Sequence, residues 1–276
     1  MEAPDAWSLG LKFDDVSNAR MHDVVLEEVE RVLVPLGFRT VGVLKWVRDK
    51  DAPVRQLFGF QKWKGGKVSP RWGVSCDFVP HLSGNEVHWH RSSPKARFDM
   101  AFTTQDRELE MLYRYGDRPI RMDLPGVLMA VMPRAVEFWA MLGPLGRLRA
   151  SMERMRRQYP QSGYPFPGYR EDLLTGPFIL AGAGSLEIAQ AELDQALSRW
   201  PCPEKTRGRL VKLLIEASES ETLASMRSPE ARAFEEKARR EAPRPPLGVM
   251  AKLAHRLHRI IDPPSRPPKW PPDGKG

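Results

Sequence analysis

Cys76, Asp77, His81, His88 and His90 bring the side chains best suited to chemistry into one short stretch. A strand turns alternate residues to the same side, so His88 and His90 share a face, and His81 reaches it from an adjoining turn. Three imidazoles could hold zinc or iron and leave a coordination position open for water. Against this, the spacing follows no strong metal signature, and the alternation puts Cys76 on the core face and Asp77 on the other. The simpler expectation is an edge strand with Trp89 inward and His88 and His90 in solvent. No cofactor is therefore expected; zinc or iron on the three histidines is the alternative.

Gly182-Ala183-Gly184-Ser185 precedes a helical pattern and could offer backbone N–H groups to an anion. It lacks the order of a phosphate loop or a dinucleotide fingerprint, so it reads as an interhelical turn with Ser185 as N-cap. No nucleophile-elbow serine, His-Glu-x-x-His helix or Cys beside an obvious His occurs. Adjacent carboxylates such as Asp14-Asp15 and Glu235-Glu236 do not face each other on a helix and read as solvated surface.

The charge is uneven. The formal net charge is +8, yet residues 1–125 carry 19 basic against 18 acidic side chains, and residues 126–276 carry 24 against 17. Arg147, Arg149, Arg154, Arg156 and Arg157 stand against Glu153 alone. Residues 237–276 hold 10 basic and 3 acidic side chains in a Pro-rich context. Within that tail Leu247, Met250, Leu253, Leu257 and Ile261 form an apolar stripe opposite Lys252, Arg256 and Arg259. These arginines, with Lys252, are the candidate contacts to nucleic-acid phosphates or to a partner. The competing expectation is that the stripe docks on the protein itself. Phe58, Phe60, Trp63, Trp72 and Trp89 could stack on bases, but exposed aromatics alternate with Lys only around Trp63, so they read as core.

These residues need a scaffold. Met21, Val25, Val29, Val32 and Leu36 recur at helical spacing, and Pro35 and Gly37 end that helix. Strand-like runs follow at 38–48, 54–63, 68–80 and 87–102, the last broken near Pro94. In the third, Val68, Trp72, Val74, Cys76 and Phe78 alternate with polar or small residues, and Gly65-Gly66 supplies a tight turn before it. Helical patterns occupy 105–115, 127–142, 171–181, 185–200, 204–218 and 229–241, with a Pro/Gly/Tyr-rich connector at 159–169. Residues 127–142 are the most apolar stretch; they are short for a membrane span and carry Arg134 and Glu137, so they read as a buried helix.

The fold class expected is α+β: an N-terminal extension (1–17), a helix with an antiparallel β-meander (18–118), a helical domain (119–242) and a Pro-rich basic tail (243–276) with one amphipathic helix. The two distant cysteines, Cys76 and Cys202, fit a reducing compartment. An acidic N-terminus without an apolar run argues against a secretory signal, and the cytoplasm is expected.

The sequence Leu33-Val34-Pro35-Leu36-Gly37-Phe38-Arg39, the strand carrying Trp46, the run Phe58-Gly59-Phe60-Gln61-Lys62 and the strand Trp72-Gly73-Val74 together resemble the bacterial domain of unknown function 4304 over residues 20–115. The resemblance implies a helix turning into a strand and brings no activity with it. The function expected is non-enzymatic macromolecular interaction, in an immunity-like or accessory role with another protein as partner. Nucleic-acid binding through the basic segments and a metal-dependent enzyme built on the histidines are the alternatives.

Overall fold

In the computed structural model, described over residues 16–49, 53–63, 66–103, 109–113, 117–141, 145–158 and 168–227, the chain enters at helix α1 (Asn18–Leu33). The Ser17 hydroxyl caps it, accepting from the Arg20 backbone N–H at 3.1 Å. Met21, Val24, Val25, Val29 and Leu33 are buried along one face. A 3-10 turn at Val34–Leu36 follows, and Gly37, at φ +84°, takes the left-handed exit that Pro35 and Gly37 predict.

Among the described residues, seven strands make an antiparallel sheet in the order β1 (Arg39–Gly42), β2 (Lys45–Arg48), β3 (Val54–Trp63), β4 (Lys67–Cys76), β7 (Met100–Thr103) and β9 (Gly168–Glu171). The seventh, β8 (Met111–Leu112), pairs with the start of β4. The run read as one strand at 38–48 is a hairpin turning at Val43-Leu44. Leu44 holds φ +57° there, with its N–H on His22 Nδ1 at 3.2 Å and its carbonyl accepting from Phe60 at 3.1 Å. The run read at 87–102 is three pieces: β6 (Glu86–His88), which pairs with β5 (His81–Ser83) in a separate hairpin, then a 3-10 turn at Ser93–Lys95, then β7.

Two further segments, one expected as helix and one as the end of the connector, are strands. Met111–Leu112, expected within a helix, joins the sheet, and Gly168–Glu171 adds a strand beyond β7 before helix α4 begins at Thr175. The sheet thus takes its last strand from the sequence that follows two long helices, α2 (Arg118–Met141) and α3 (Leu145–Gln158).

Register sorts the sheet's faces. Phe58 pairs with Trp72, and Trp72 with Phe102, on the face that shares one continuous apolar cluster with α1, α2 and the later helices. The opposite face carries Arg55, Leu57, Arg71, Ala101 and Arg170, with a small separate cluster of Val47, Leu57 and Ala96 under Phe98. The segment around Ser93–Lys95 is tied across that face. Lys45 Nζ donates to the carbonyls of Pro94 and Ala96 at 3.0 and 2.9 Å, and the Ser93 hydroxyl to Asp49 at 2.8 Å.

After the sheet, α4 (Thr175–Gly182) is buried along its whole length and packs against α5 (Leu186–Arg199) and α6 (Glu204–Glu219); α7 (Glu221–Ser225) closes the described chain. The helix expected at 229–241, the tail stripe at 247–261 and most of the 159–169 connector lie outside the described residues.

Candidate functional site

The β5–β6 hairpin brings the three histidines together. His81 pairs with His88 across the hairpin, and both the His81–His88 and the His81–His90 ring centroids lie 5.5 Å apart. They do not share one environment. The His88 ring is 45% exposed and 3.6 Å from Glu86, whereas His90 is sealed at 1%. The expectation that His88 and His90 both face solvent therefore fails for His90. The strand ends at His88, and beyond it the chain drops His90 into the interior, where Nε2 lies 2.9 Å from Asp99 Oδ2. Trp89 is half-buried with the Arg91 guanidinium 3.6 Å over its ring.

Asp99, missed by sequence reasoning, is the hub. The same Oδ2 accepts the Cys76 backbone N–H at 2.6 Å, while its backbone carbonyl accepts from Asp172 N–H at 2.8 Å and the Thr175 hydroxyl at 3.0 Å. Burial raises the Asp99 carboxyl to about 6, against the pull of His90 and the Cys76 N–H. Burial, helped by the Arg97 charge, lowers His81 to about 4. Burial also pushes the Cys76 thiol well up, with Asp99 adding to it, so Cys76 is an inert core residue and not a nucleophile. Asp77 turns to the other face, as expected, and pairs with Arg55.

Among the described residues, no three His, Cys, Asp or Glu side chains are arranged to hold a metal ion. His90 gives its Nε2 to a carboxylate, and His88 stands in solvent, so the three rings do not converge on a common point. The cluster ties the end of the β5–β6 hairpin and β4 to the buried Asp99 carboxylate, and the start of α4 to the backbone carbonyl of the same residue. Gly182–Ser185 is the interhelical turn between α4 and α5, with Gly184 at φ +85°. Ser185 holds the N-cap position, yet its hydroxyl accepts from Arg149 Nη1 at 2.6 Å and does not cap the helix.

The basic cluster of residues 147–157 divides. Arg149 bonds Glu153 at 2.8 Å as well as Ser185. Arg156 grips Glu171 at 2.6 Å and Glu192 at 2.5 Å, which lifts its already high pKa further despite burial. Gly176 lies beneath this ion pair, and a Cβ there would run into both partners. Arg154 and Arg157 are exposed on α3. The Arg147 side chain, and Lys252, Arg256 and Arg259, lie outside what is described. Arg149 and Arg156 thus spend their charge inside the protein.

The feature that sequence reading missed is the outer face of α2. Residues 127–142 read as a buried helix, and one side of α2 is buried, at Ile120, Leu124, Val127, Leu128, Val131, Met132, Ala135, Phe138 and Trp139. Trp139 Nε1 donates to the Gly73 carbonyl at 3.0 Å. On the other side Met122, Met129 and Val136 stay 69%, 40% and 38% exposed, and Pro133 and Ala140 are exposed with them. With Gly126, which has open space over it, these fall at alternating four- and three-residue steps, an a/d seam about 27 Å long. The signal was present in the sequence as apolar residues on two faces of the helix, with Asp123, Arg134 and Glu137 between them. Among the described residues no helix is long and apolar enough to cross a membrane.

No protein-family model, curated protein or solved structure matches the chain.

Proposed function

We propose that this chain is a non-enzymatic interaction protein that receives an amphipathic helix of a partner protein along the outer face of α2. The observation that carries the reading is the exposed seam Met122–Gly126–Met129–Pro133–Val136–Ala140 on a helix whose other face is anchored in the core. A contiguous apolar stripe of this kind loses free energy to water until another surface covers it. The 3.5-residue repeat is the one into which a second helix fits its knobs. Asp123, Arg134 and Glu137 flank the seam on one side and Arg118 and Arg121 on the other, which favours a partner helix with charges of both signs along its edges. An accessory or immunity-like role, in which binding is itself the output, is compatible with this surface. Two unpaired cysteines, Cys76 buried and Cys202 half-buried, fit a reducing cytoplasm.

A photo-crosslinking residue at position 129, with one at exposed Glu187 on α5 as control, tests this in the cells that make the protein. A discrete heterologous adduct from position 129, absent from position 187 and lost when Met122 and Val136 are changed to Glu, is the result expected. Adducts only to a second copy of the chain, or equal adducts from both positions, would overturn it.

A further inference from the structure

On the sheet face turned away from α1 and α2, three arginines converge on a cleft of about 380 Å³ lined by Arg71, Ala96, Arg97, Phe98, Arg170, Glu171 and Asp172. Each arrives by a different route. Arg71 stands on central strand β4, opposite Thr103 of β7. Arg170 stands on edge strand β9, opposite Ala101 of β7, and the alternation of the ladder turns it to the same face as Arg71. Gly73, Ala101 and Gly168 share that face and carry little or no side chain, so the floor between the two arginines stays low. Arg97 comes from the segment tied over the sheet, fixed by its backbone N–H on Ser75 Oγ at 3.3 Å.

The three guanidiniums are undercompensated. Glu171 is already held by Arg156, and Asp172 reaches only Arg97, at 3.4 Å. Arg71 is half-buried with its guanidinium 4.4 Å over the Phe98 ring, and its buried Nε has no hydrogen-bond partner. Burial and the neighbouring charge of Arg170, with that of Arg97, hold Arg71 down to about 10 in spite of Asp172. Like charges gathered around a cation with an unused, desolvated donor are stabilised by an anion that bonds several of them at once. Guanidiniums fork onto tetrahedral oxyanions with two bonds each.

We infer that this cleft binds the phosphate group of a small phosphorylated molecule, Arg71 and Arg170 gripping the oxygens and Arg97 closing over them. The cleft is of the size that holds a small organic ligand, so a bare phosphate ion fills part of it, and Ala96 and Phe98 supply apolar wall for the group that carries the phosphate. The inference is independent of the α2 surface, which belongs to the other side of the sheet.

Isothermal titration of the full chain with phenyl phosphate and, separately, inorganic phosphate, against sodium chloride at matched ionic strength, tests it. Saturable one-to-one binding of phenyl phosphate, several-fold tighter than inorganic phosphate, is expected. Arg170→Gln, an exposed position, should weaken it at least tenfold. Arg71→Lys, which keeps the charge and loses the fork, should do the same, with Arg154→Gln on α3 leaving it unchanged. Heats no larger than those of chloride, inorganic phosphate binding as tightly as the ester, or an unchanged affinity in Arg170→Gln would each overturn the assignment.

Discussion

His90 Nε2 and Asp99 Oδ2 meet at 2.9 Å with both side chains sealed from solvent, so each is the other's replacement for water. Removing the imidazole leaves a buried carboxyl with the Cys76 N–H as its one remaining partner at that oxygen. His90→Ala should therefore cost about 3 kcal/mol in urea unfolding, since a buried group deprived of its partner keeps its desolvation penalty. His88→Ala, on an exposed ring in the same hairpin, should fall within about 0.5 kcal/mol of wild type. Equal losses from the two variants would show that the buried pair does not anchor the hairpin.

The same cluster contains two titrations of opposite sign. Asp99 is raised to about 6 in the fold against an unfolded value of about 3.9, so between those pH values the folded chain holds the extra proton. Its contribution is fully present below about pH 4 and is lost as pH rises through about 6. His81 is lowered to about 4 against about 6.5 unfolded, so there the unfolded chain binds more protons and stability rises with pH. In the wild type the two slopes oppose each other. Asp99→Asn should leave stability rising between pH 4.5 and 6.5, and His81→Gln should leave it falling, read as the urea midpoint at the two pH values. Rising slopes in both variants would show that the Asp99 shift is absent, and falling slopes in both that the His81 shift is absent.

How much of this was legible depended on whether the deciding interaction lay within one element. The helix ending at Pro35-Gly37 and the alternation of Val68, Trp72, Val74 and Cys76 are local patterns, and both appear where the sequence puts them. Gly168–Glu171 carries no such pattern; it is a strand because β7 offers it a free edge, and a pairing partner so far back in sequence leaves no periodic trace. Asp99 was equally hidden, because one acidic residue before a short strand looks solvated until His90 and Cys76 close over it. The α2 seam was visible as apolarity and misread, since composition cannot say whether both faces of an apolar helix find cover. The Arg71–Arg170 pairing required knowing that β4 and β9 flank the same strand.

Arg156 holds two carboxylates from different elements, Glu171 of β9 and Glu192 of α5, across the buried first turn of α4. Glu171 is only 5% exposed, so Arg156→Met should leave it charged without its counterion and cost about 2 kcal/mol or more. Adding Glu171→Gln to that variant should recover part of the loss, giving a coupling of at least 1 kcal/mol in a double-mutant cycle. Strict additivity of the two substitutions would mean that the arginine contributes packing alone.

Two glycines make opposite demands, and the contrast checks both the sheet register and the free surface of α2. A Cβ at Gly73 would run into the Met100 carbonyl oxygen, a backbone atom that cannot rotate away, so β4 and β7 approach as closely as they do only because residue 73 has no side chain. Gly73→Ala should force the strands apart and cost about 3 kcal/mol, with loss of the Trp139–Gly73 hydrogen bond visible as a red shift in tryptophan emission. At Gly126 nothing lies within reach of a Cβ, and the residue sits inside α2. Gly126→Ala should therefore raise stability by about 0.5–1 kcal/mol, the ordinary gain from restricting the unfolded chain and favouring helix. Destabilisation at Gly126 would mean that this side of α2 is covered in solution, by the same chain or by a second copy of it.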